Sequence, residues 1–184
     1  MKKTWVSDVV WLVCLTLFLV GMRAFIFSPI KVQGESMMPN LVDGEKAIAL
    51  KVGEIKRFDV IPLKAPDDPE LYYVKRVIGL PGDTVEYKED QLIVNGKPLK
   101  EDYLNQYKKE FHEAGNTGPL TEDFTLQNLT GQQTVPENTY FVLGDNRQVS
   151  KDSRFPEVGF IPKDNVIGKA TVSFWPPSQW GMVK

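Results

Sequence analysis

Three stretches of the chain carry residues that together could cleave a bond. The first is Gly34-Glu35-Ser36-Met37-Met38-Pro39-Asn40-Leu41, which offers one hydroxyl beside a glycine. The second runs from Tyr72 to Asp83 and contains Lys75 and Arg76 in an otherwise apolar setting. The third, Gly144 to Arg154, contains Asp145, Ser150, Asp152 and Arg154. By itself Ser36 reads equally as a loop serine or as a nucleophile. A nucleophilic hydroxyl needs a group to take its proton. The only imidazole, His112, lies in a polar segment, and a carboxylate of ordinary pKa is a poor base for an alkanol. A lysine remains, and Ser–Lys is a recognised variant of the triad logic. By elimination Lys75 is the best candidate.

In an extended strand the side chains alternate between faces. Tyr73, Lys75, Val77 and Gly79 then share one side, and Tyr72, Val74, Arg76, Ile78 and Leu80 the other. Each face is mostly apolar and carries one cation. On an edge strand Lys75 would snorkel to water. If both faces are covered, a cation is desolvated, and lysine, unlike arginine, can then give up its proton. Burial lowers a lysine from ~10.4 toward the range of a general base. In the third stretch Gly144-Asp145-Asn146-Arg147 has the composition of a tight turn. Ser150, Asp152 and Arg154 recur at every second position. An extended backbone would put them on one face as a hydrogen-bonded cluster able to aim the Lys75 amine, or as a surface ion pair with no such role.

The totals narrow the classes. With 184 residues the chain has room for one domain with a core plus an apolar segment. A net charge of −2 gives no broad basic field for nucleic acid. One cysteine, Cys14, excludes an intrachain disulfide and a thiolate metal cluster, and one histidine excludes zinc sites built from several imidazoles. No cofactor or metal is expected. Gly34-Glu35-Ser36-Met37-Met38 lacks the second glycine of the α/β-hydrolase elbow.

Val9 to Phe27 is apolar except for Thr16, Gly21 and Arg23. As a helix rising ~1.5 Å per residue it matches a hydrocarbon core of ~30 Å. Trp5 and Trp11 suit one interface, and Arg23 can reach the other. A cleaved leader is the rival, but Met22-Arg23-Ala24-Phe25 has no small-x-small exit site, so a retained signal anchor is expected. Lys2, Lys3 and the amino terminus outweigh Lys31, with Glu35 nearby, which puts the amino terminus in the cytoplasm and the rest of the chain outside the cell membrane. The expected organisation is a tip and anchor over 1–28 and an extracytoplasmic β-rich part over 29–184.

In that part, Pro29 is expected to end the helix, since it lacks an amide hydrogen. Short strands are predicted over Ile30–Gln33, Lys46–Lys51, Phe58–Leu63, Leu71–Leu80, Thr84–Tyr87, Gln91–Val94, Lys97–Leu99, Thr139–Leu143 and Asn165–Trp175. Pro62 pushes its strand toward an edge, and Asn95-Gly96 marks a two-residue hairpin turn. Ala65 to Pro69 is a loop. Lys100 to Pro136 has no clear period and reads as an insertion. The fold class is mainly β, built from short antiparallel strands.

The three stretches, in this order, resemble the type I signal peptidases, membrane-anchored Ser–Lys proteases. The likeness rests on Gly-x-Ser-Met-x-Pro, on Tyr-Val-Lys-Arg-Val-Ile-Gly-Leu-Pro-Gly-Asp and on Gly-Asp-Asn-Arg-x-x-Ser-x-Asp-Ser-Arg. It runs from the anchor to about Trp175, apart from the insertion, and the single anchor resembles the compact Gram-positive members. The resemblance implies Ser36 as nucleophile and Lys75 as base. It also implies Ser150 bonding the lysine amine, Asp145, Asp152 and Arg154 as support, and the Ser36 amide in the oxyanion hole. Some members have a serine two residues before the nucleophile; Gly34 stands there, leaving a backbone contribution. Other departures are Asn40 for a threonine, Phe58 for a glycine, and Pro62-Leu63 within a strand. The implied substrates are signal-peptide-bearing precursors emerging at the membrane lipid, cut after a small-x-small pattern. Two rivals stand beside this reading: a membrane-tethered β-domain that only binds a partner, and a self-cleaving Ser–Lys regulator, which would carry a DNA-binding helical domain.

Overall fold

The computed structural model describes residues 2–68 and 70–183, and for Lys2, Lys3 and Thr4 the backbone alone. The end of the loop expected over Ala65 to Pro69 therefore lies outside the described residues, as do the side chains of the basic start and the terminal amine.

The chain opens with a helix, α1, over Lys2–Phe25. Its segment Trp5–Phe25 has a mean hydropathy of 2.0, is not buried against the rest of the protein and is long and apolar enough to cross a membrane. Apolar side chains are exposed all round it, so it is no core helix. The helix ends four residues before Pro29, which corrects the expectation that the proline ends it. Instead Lys51 closes the helix. Its Nζ donates to the carbonyls of Arg23 and Ala24 at 3.3 and 3.0 Å, and its amide donates to Ile26 at 2.8 Å. A cation at the carboxyl end of a helix also suits the helix dipole. The chain then enters β1 (Phe27–Lys31) directly, so Ile26 and Phe27 leave the apolar run. Pro29 lies inside this strand opposite Ile48, tolerated because β1 is at a sheet edge.

Three antiparallel four-stranded sheets follow. The first takes β1, β2 (Lys46–Leu50), β11 (Lys169–Trp175) and β12 (Gly181–Met182), in that spatial order. The second orders β10 (Ile161–Pro162), β9 (Thr139–Leu143), β4 (Tyr72–Gly79) and β3 (Val60–Lys64). The third orders β7 (Lys97–Leu99), β6 (Gln91–Val94), β5 (Val85–Lys88) and β8 (Phe124–Thr125). Pro62 lies in β3, the edge strand of its sheet, as its missing donor requires. Asn95 and Gly96 take φ of 53° and 71° and turn β6 into β7.

Some boundaries move. Asn165 belongs to a short 3₁₀ turn, Lys163–Asn165, and the last long strand begins only at Lys169. Phe58, expected in a strand, sits before β3 with φ of 70°. The stretch 100–136 contains a 3₁₀ turn, Asp102–Leu104, helix α2 (Asn105–Glu113) and the short helix α3 (Leu126–Thr130), as well as β8. Leu104, Leu120, Leu126 and Val135 from this stretch are buried.

Strand β4 is the spine. Its residues from Val74 to Gly79 are all buried. Val77 packs with Ile61, Leu63, Val142 and Ile161 on one side. Ile78 packs with Val85, Tyr87, Phe141 and Leu143 on the other. Both faces of this strand are therefore covered. Where the pairing of β4 with β9 slips, between Val77 and Gly79, the backbone comes close to its neighbours. A Cβ on Gly79 would lie 2.8 Å from Val135 Cγ2, 2.9 Å from Val85 Cγ2 and 3.1 Å from Phe141 Cβ. Gly79→Ala is thus an overpacking change in the core. It is expected to lower unfolding stability by about 1–3 kcal/mol, read from denaturant titration.

Candidate active site

Lys75 points from the middle of β4 into the protein and is only 3% exposed. Its Nζ donates to Ser150 Oγ at 3.2 Å and lies 5.1 Å from the centre of the Tyr73 ring. Among the described residues no carboxylate lies within ion-pair distance of it. Burial lowers its pKa from 10.5 to about 8, against the pull of the Asp152 carboxylate toward the charged form and with the push of Arg154 toward the neutral one. The snorkelling alternative falls, because β4 lies between β9 and β3 and is covered on both faces.

Arg76, on the opposite face, is handled differently. It is buried too, but its Nε and one terminal nitrogen donate to the two carboxylate oxygens of Asp145 at 2.8 and 2.6 Å. Another terminal nitrogen donates to the carbonyl of Phe58 at 2.8 Å. Phe58 thus faces the strand with its carbonyl while holding a left-handed backbone that suits the glycine expected there. The cost of that conformation is ~1–2 kcal/mol; its ring meets Tyr103 at 5.6 Å between centroids and packs against the core. Asn40, the other departure, uses its side-chain amide to bridge Asp145 Oδ2 at 2.8 Å and the Tyr103 carbonyl at 3.0 Å.

The third stretch gathers these groups. Ser150, Asp152 and Arg154 do form one cluster, but from consecutive turns, not from an extended backbone. The Ser150 amide donates to the Asn146 carbonyl at 2.9 Å, and that of Phe155 to Asp152 at 2.9 Å. Asp152, fully buried, accepts two hydrogen bonds from the Arg154 guanidinium at 2.8 and 2.9 Å and one from the Gly144 amide at 2.9 Å. Period-two spacing failed as a guide because turn hydrogen bonds, not strand pairing, set these directions.

Ser36 lies across the same turn, half-buried. Its carbonyl accepts the Asn146 amide at 3.0 Å. A Cβ on Gly144 would stand 2.1 Å from Ser150 Oγ and 2.4 Å from the Ser36 carbonyl oxygen. Only a glycine allows the turn to press between the serine segment and the partner of Lys75. The Ser36 hydroxyl and the Lys75 amine are not hydrogen-bonded to each other; among the described residues neither the Ser36 hydroxyl nor its amide has a hydrogen-bond partner. The Gly34 backbone, which the resemblance offered as an oxyanion donor, donates through its amide to Asp43 Oδ1 at 2.8 Å. Met37 is fully buried among Val32, Leu41 and Val60, whereas Met38 is partly exposed. His112 is exposed on α2, its ring meeting Phe111 and the Asn116 carbonyl.

Several residues of the site escaped sequence reasoning. Arg147 is buried and donates to Glu101, Tyr87, Thr121 and the Gly144 carbonyl. Burial works to raise the pKa of Glu101, yet Arg147 and the two tyrosine hydroxyls bring it below the ordinary value. Tyr107 donates to Asn146 Oδ1 at 2.7 Å. Glu101, Tyr103 and Tyr107 all come from the polar stretch, where nothing local marks a buried partner. Arg76 had a readable signal: a second cation on a covered strand requires a carboxylate, and Asp145 was at hand.

Beside the site, a cleft of about 470 Å³ is lined by Pro29, Ile30, Gln33, Pro62, Tyr72 and Val74 among others. It runs along β1, whose outer edge is unpaired within its sheet.

The structure is a β-rich domain carrying an apolar helix and a buried amine bonded to a serine hydroxyl, and comparison with known proteins gives the family. The profile described as Signal peptidase, peptidase S26, matches residues 3–175. Signal peptidase I of Bacillus caldolyticus is 45% identical over 163 residues, covering 86% of this chain and 85% of the relative. That of Bacillus licheniformis is 44% identical over 176 residues, covering 94% and 88%. Signal peptidase IB of Staphylococcus aureus is 43% identical over 172 residues, covering 89% and 85%. A crystal structure of a signal peptidase I from Enterococcus faecalis V583 superposes with a TM-score of 0.59 at 43% identity, over 64% of this chain and 97% of the other. The chain belongs to the signal peptidase family, peptidase S26.

The depressed lysine pKa has a thermodynamic consequence. Below about pH 8 Lys75 is charged in both folded and unfolded chains, and its burial is fully unfavourable. Between about 8 and 10.5 the unfolded chain holds the extra proton, so stability rises with pH there. Lys75→Met abolishes this contribution. The stability of the wild type relative to that variant is expected to climb by a few kcal/mol across this window, measured by denaturant unfolding at several pH values.

Proposed function

We propose that this chain is a serine endopeptidase that removes amino-terminal signal peptides from exported precursors, with Ser36 as nucleophile and Lys75 as general base. The observation that carries the reading is the Lys75 amine: buried, held by a neutral hydroxyl and paired with no carboxylate, next to the turn that grips the Ser36 segment. An amine held with only Ser150 can be neutral near physiological pH and can accept a proton.

In this mechanism the Ser36 hydroxyl rotates toward Lys75 when substrate is bound; such contacts often tighten only in the complex. Lys75 Nζ takes the hydroxyl proton as Oγ bonds to the scissile carbonyl carbon. The developing oxyanion is met by the Ser36 amide, a donor whose removal typically costs ~3–4 kcal/mol. The C–N bond then breaks, and the protonated Lys75 returns its proton to the leaving amine. Water, deprotonated by the same amine, resolves the acyl-enzyme. Ser150 orients Lys75; Asp152 and Arg154 fix the turn that carries Ser150; Asp145 anchors that turn to β4 through Arg76. An extended precursor segment fits along the free edge of β1, where the shallow cleft admits small side chains before the cut. The relatives are named signal peptidases, which agrees with this substrate class.

The apolar helix anchors the chain in the cell membrane, with its amino terminus in the cytoplasm and the β-rich part outside. This orientation rests on the basic start of the chain.

Cleavage of a precursor peptide by the purified chain is the direct test. Ser36→Ala and Lys75→Arg are each expected to lower kcat by at least a thousand-fold. Unaltered processing by Ser36→Ala would point instead to a tethered binding domain. For the wild type, kcat/KM should rise with pH and level off above about 8, as Lys75 loses its proton. A profile flat from mildly acidic to alkaline pH would remove Lys75 from the role of base.

A further inference from the structure

The stretch 100–136 does more than cover the core. Its side chains Glu101, Tyr103 and Tyr107 all reach the turn at 144–147. We propose that Tyr107, acting through Asn146, is a positioning residue for the oxyanion donor of this site. The proposal rests on the reading of Ser36 as nucleophile with its own amide as that donor.

Three contacts of Asn146 bear on this role. Its Oδ1 accepts the Tyr107 hydroxyl at 2.7 Å, its Nδ2 donates to the Glu35 carbonyl at 3.1 Å, and its backbone amide donates to the Ser36 carbonyl at 3.0 Å. The Glu35 carbonyl and the Ser36 amide are opposite ends of one peptide unit. That unit is trans, since the cis bonds among the described residues are Met38-Pro39 and Trp175-Pro176. A trans peptide is planar and stiff, so fixing its carbonyl oxygen fixes the direction of its N–H. The Ser36 amide has no acceptor among the described residues and stays available. The third contact, to the Ser36 carbonyl, fixes the following peptide unit. Asn146 therefore braces both planes that flank the Ser36 Cα, the first together with the Met38 amide, which also donates to the Glu35 carbonyl at 3.1 Å.

The amide of Asn146 can serve only while its nitrogen, not its oxygen, faces the Glu35 carbonyl. The Tyr107 hydroxyl donates to the oxygen and keeps that orientation. Tyr107 stands on α2, which has no fully buried residue, so its hydroxyl can be removed without a hole in the core. An oxyanion donor is effective because it is already aimed at the developing charge. Loosening the frame behind it should therefore raise the barrier and leave substrate affinity alone.

The test uses the full chain in detergent. Tyr107→Phe is expected to lower kcat for a precursor peptide roughly ten-fold, a fraction of the ~10²–10³ lost with a whole donor. KM should stay within about two-fold, and the pH midpoint should not move, because Lys75 is untouched. Affinity for a peptide boronate, whose adduct on Ser36 is tetrahedral, should fall by the same factor, while affinity for the released product peptide stays unchanged. Asn146→Ala should lower kcat at least as far, and adding Tyr107→Phe to it should change nothing more, since both act through one contact. Wild-type kcat in Tyr107→Phe, equal losses for boronate and product, a displaced pH midpoint or additive losses in the double variant would each overturn the proposal. Ser36→Ala is assayed alongside. If it still cleaves, the nucleophile assignment fails as well; if it is inactive while Tyr107→Phe is normal, only the positioning role fails.

Discussion

Burying an ammonium group is costly, because the charge loses its hydration and a hydroxyl returns little of it. The arrangement around Lys75 is built on that imbalance. Three buried or half-buried guanidinium groups near it each have a carboxylate: Arg76 has Asp145, Arg147 has Glu101, and Arg154 has Asp152. Lys75 has Ser150 and an aromatic face. The charges of the arginines are thus neutralised in place, and the one cation that can shed its proton is left without an anion. Desolvation then favours the neutral amine, against the longer-range pull of the Asp152 carboxylate toward the charged form.

The turn from Gly144 to Arg154 makes this possible. It takes the end of β9 and brings it between β4, the Ser36 segment and the stretch 100–107. Each contact uses a different chemical group of the turn: the Gly144 Cα approaches the Ser36 carbonyl, the Asp145 carboxylate holds β4, and Asn146 and Arg147 hold the neighbouring segments. No buried side-chain nitrogen or oxygen among the described residues lacks a hydrogen-bond partner. A fully satisfied polar network of this kind specifies one geometry, because any shift strands a charge or a donor.

The apolar helix is joined to the site with little slack. Helix α1 ends at Phe25, β1 follows at Phe27, and Ser36 comes a few residues after β1 ends at Lys31. A chain spans at most ~3.3–3.6 Å per residue, and the lysine cap at the helix end ties this link to β2. The Ser36 hydroxyl is therefore confined to the neighbourhood of the helix terminus.

Much of this was legible in the order of residues. The apolar run, most of the strands, the Asn95-Gly96 hairpin and the edge position of Pro62 follow from periodicity, turn chemistry and the missing amide of proline, all local effects. Lys75 could be proposed as the base for Ser36 because a hydroxyl needs one and the chain offers few, whereas the bond from Lys75 to Ser150 was implied only by the family resemblance. Other features are decided only by tertiary contacts. The helix ends where Lys51 and β2 reach it, not where the proline stands. Arg147 and Tyr107 find their partners across long separations in sequence, and the cluster at 150–154 comes from turns that no period reveals. Whether Lys75 sits in water or in the core depends on both faces of β4 being covered, and that covering is supplied by elements distant in the chain. Sequence fixes which groups are present and which local geometries they prefer; desolvation and charge pairing, the quantities that tune the amine, are sums over neighbours that exist only once the chain has folded.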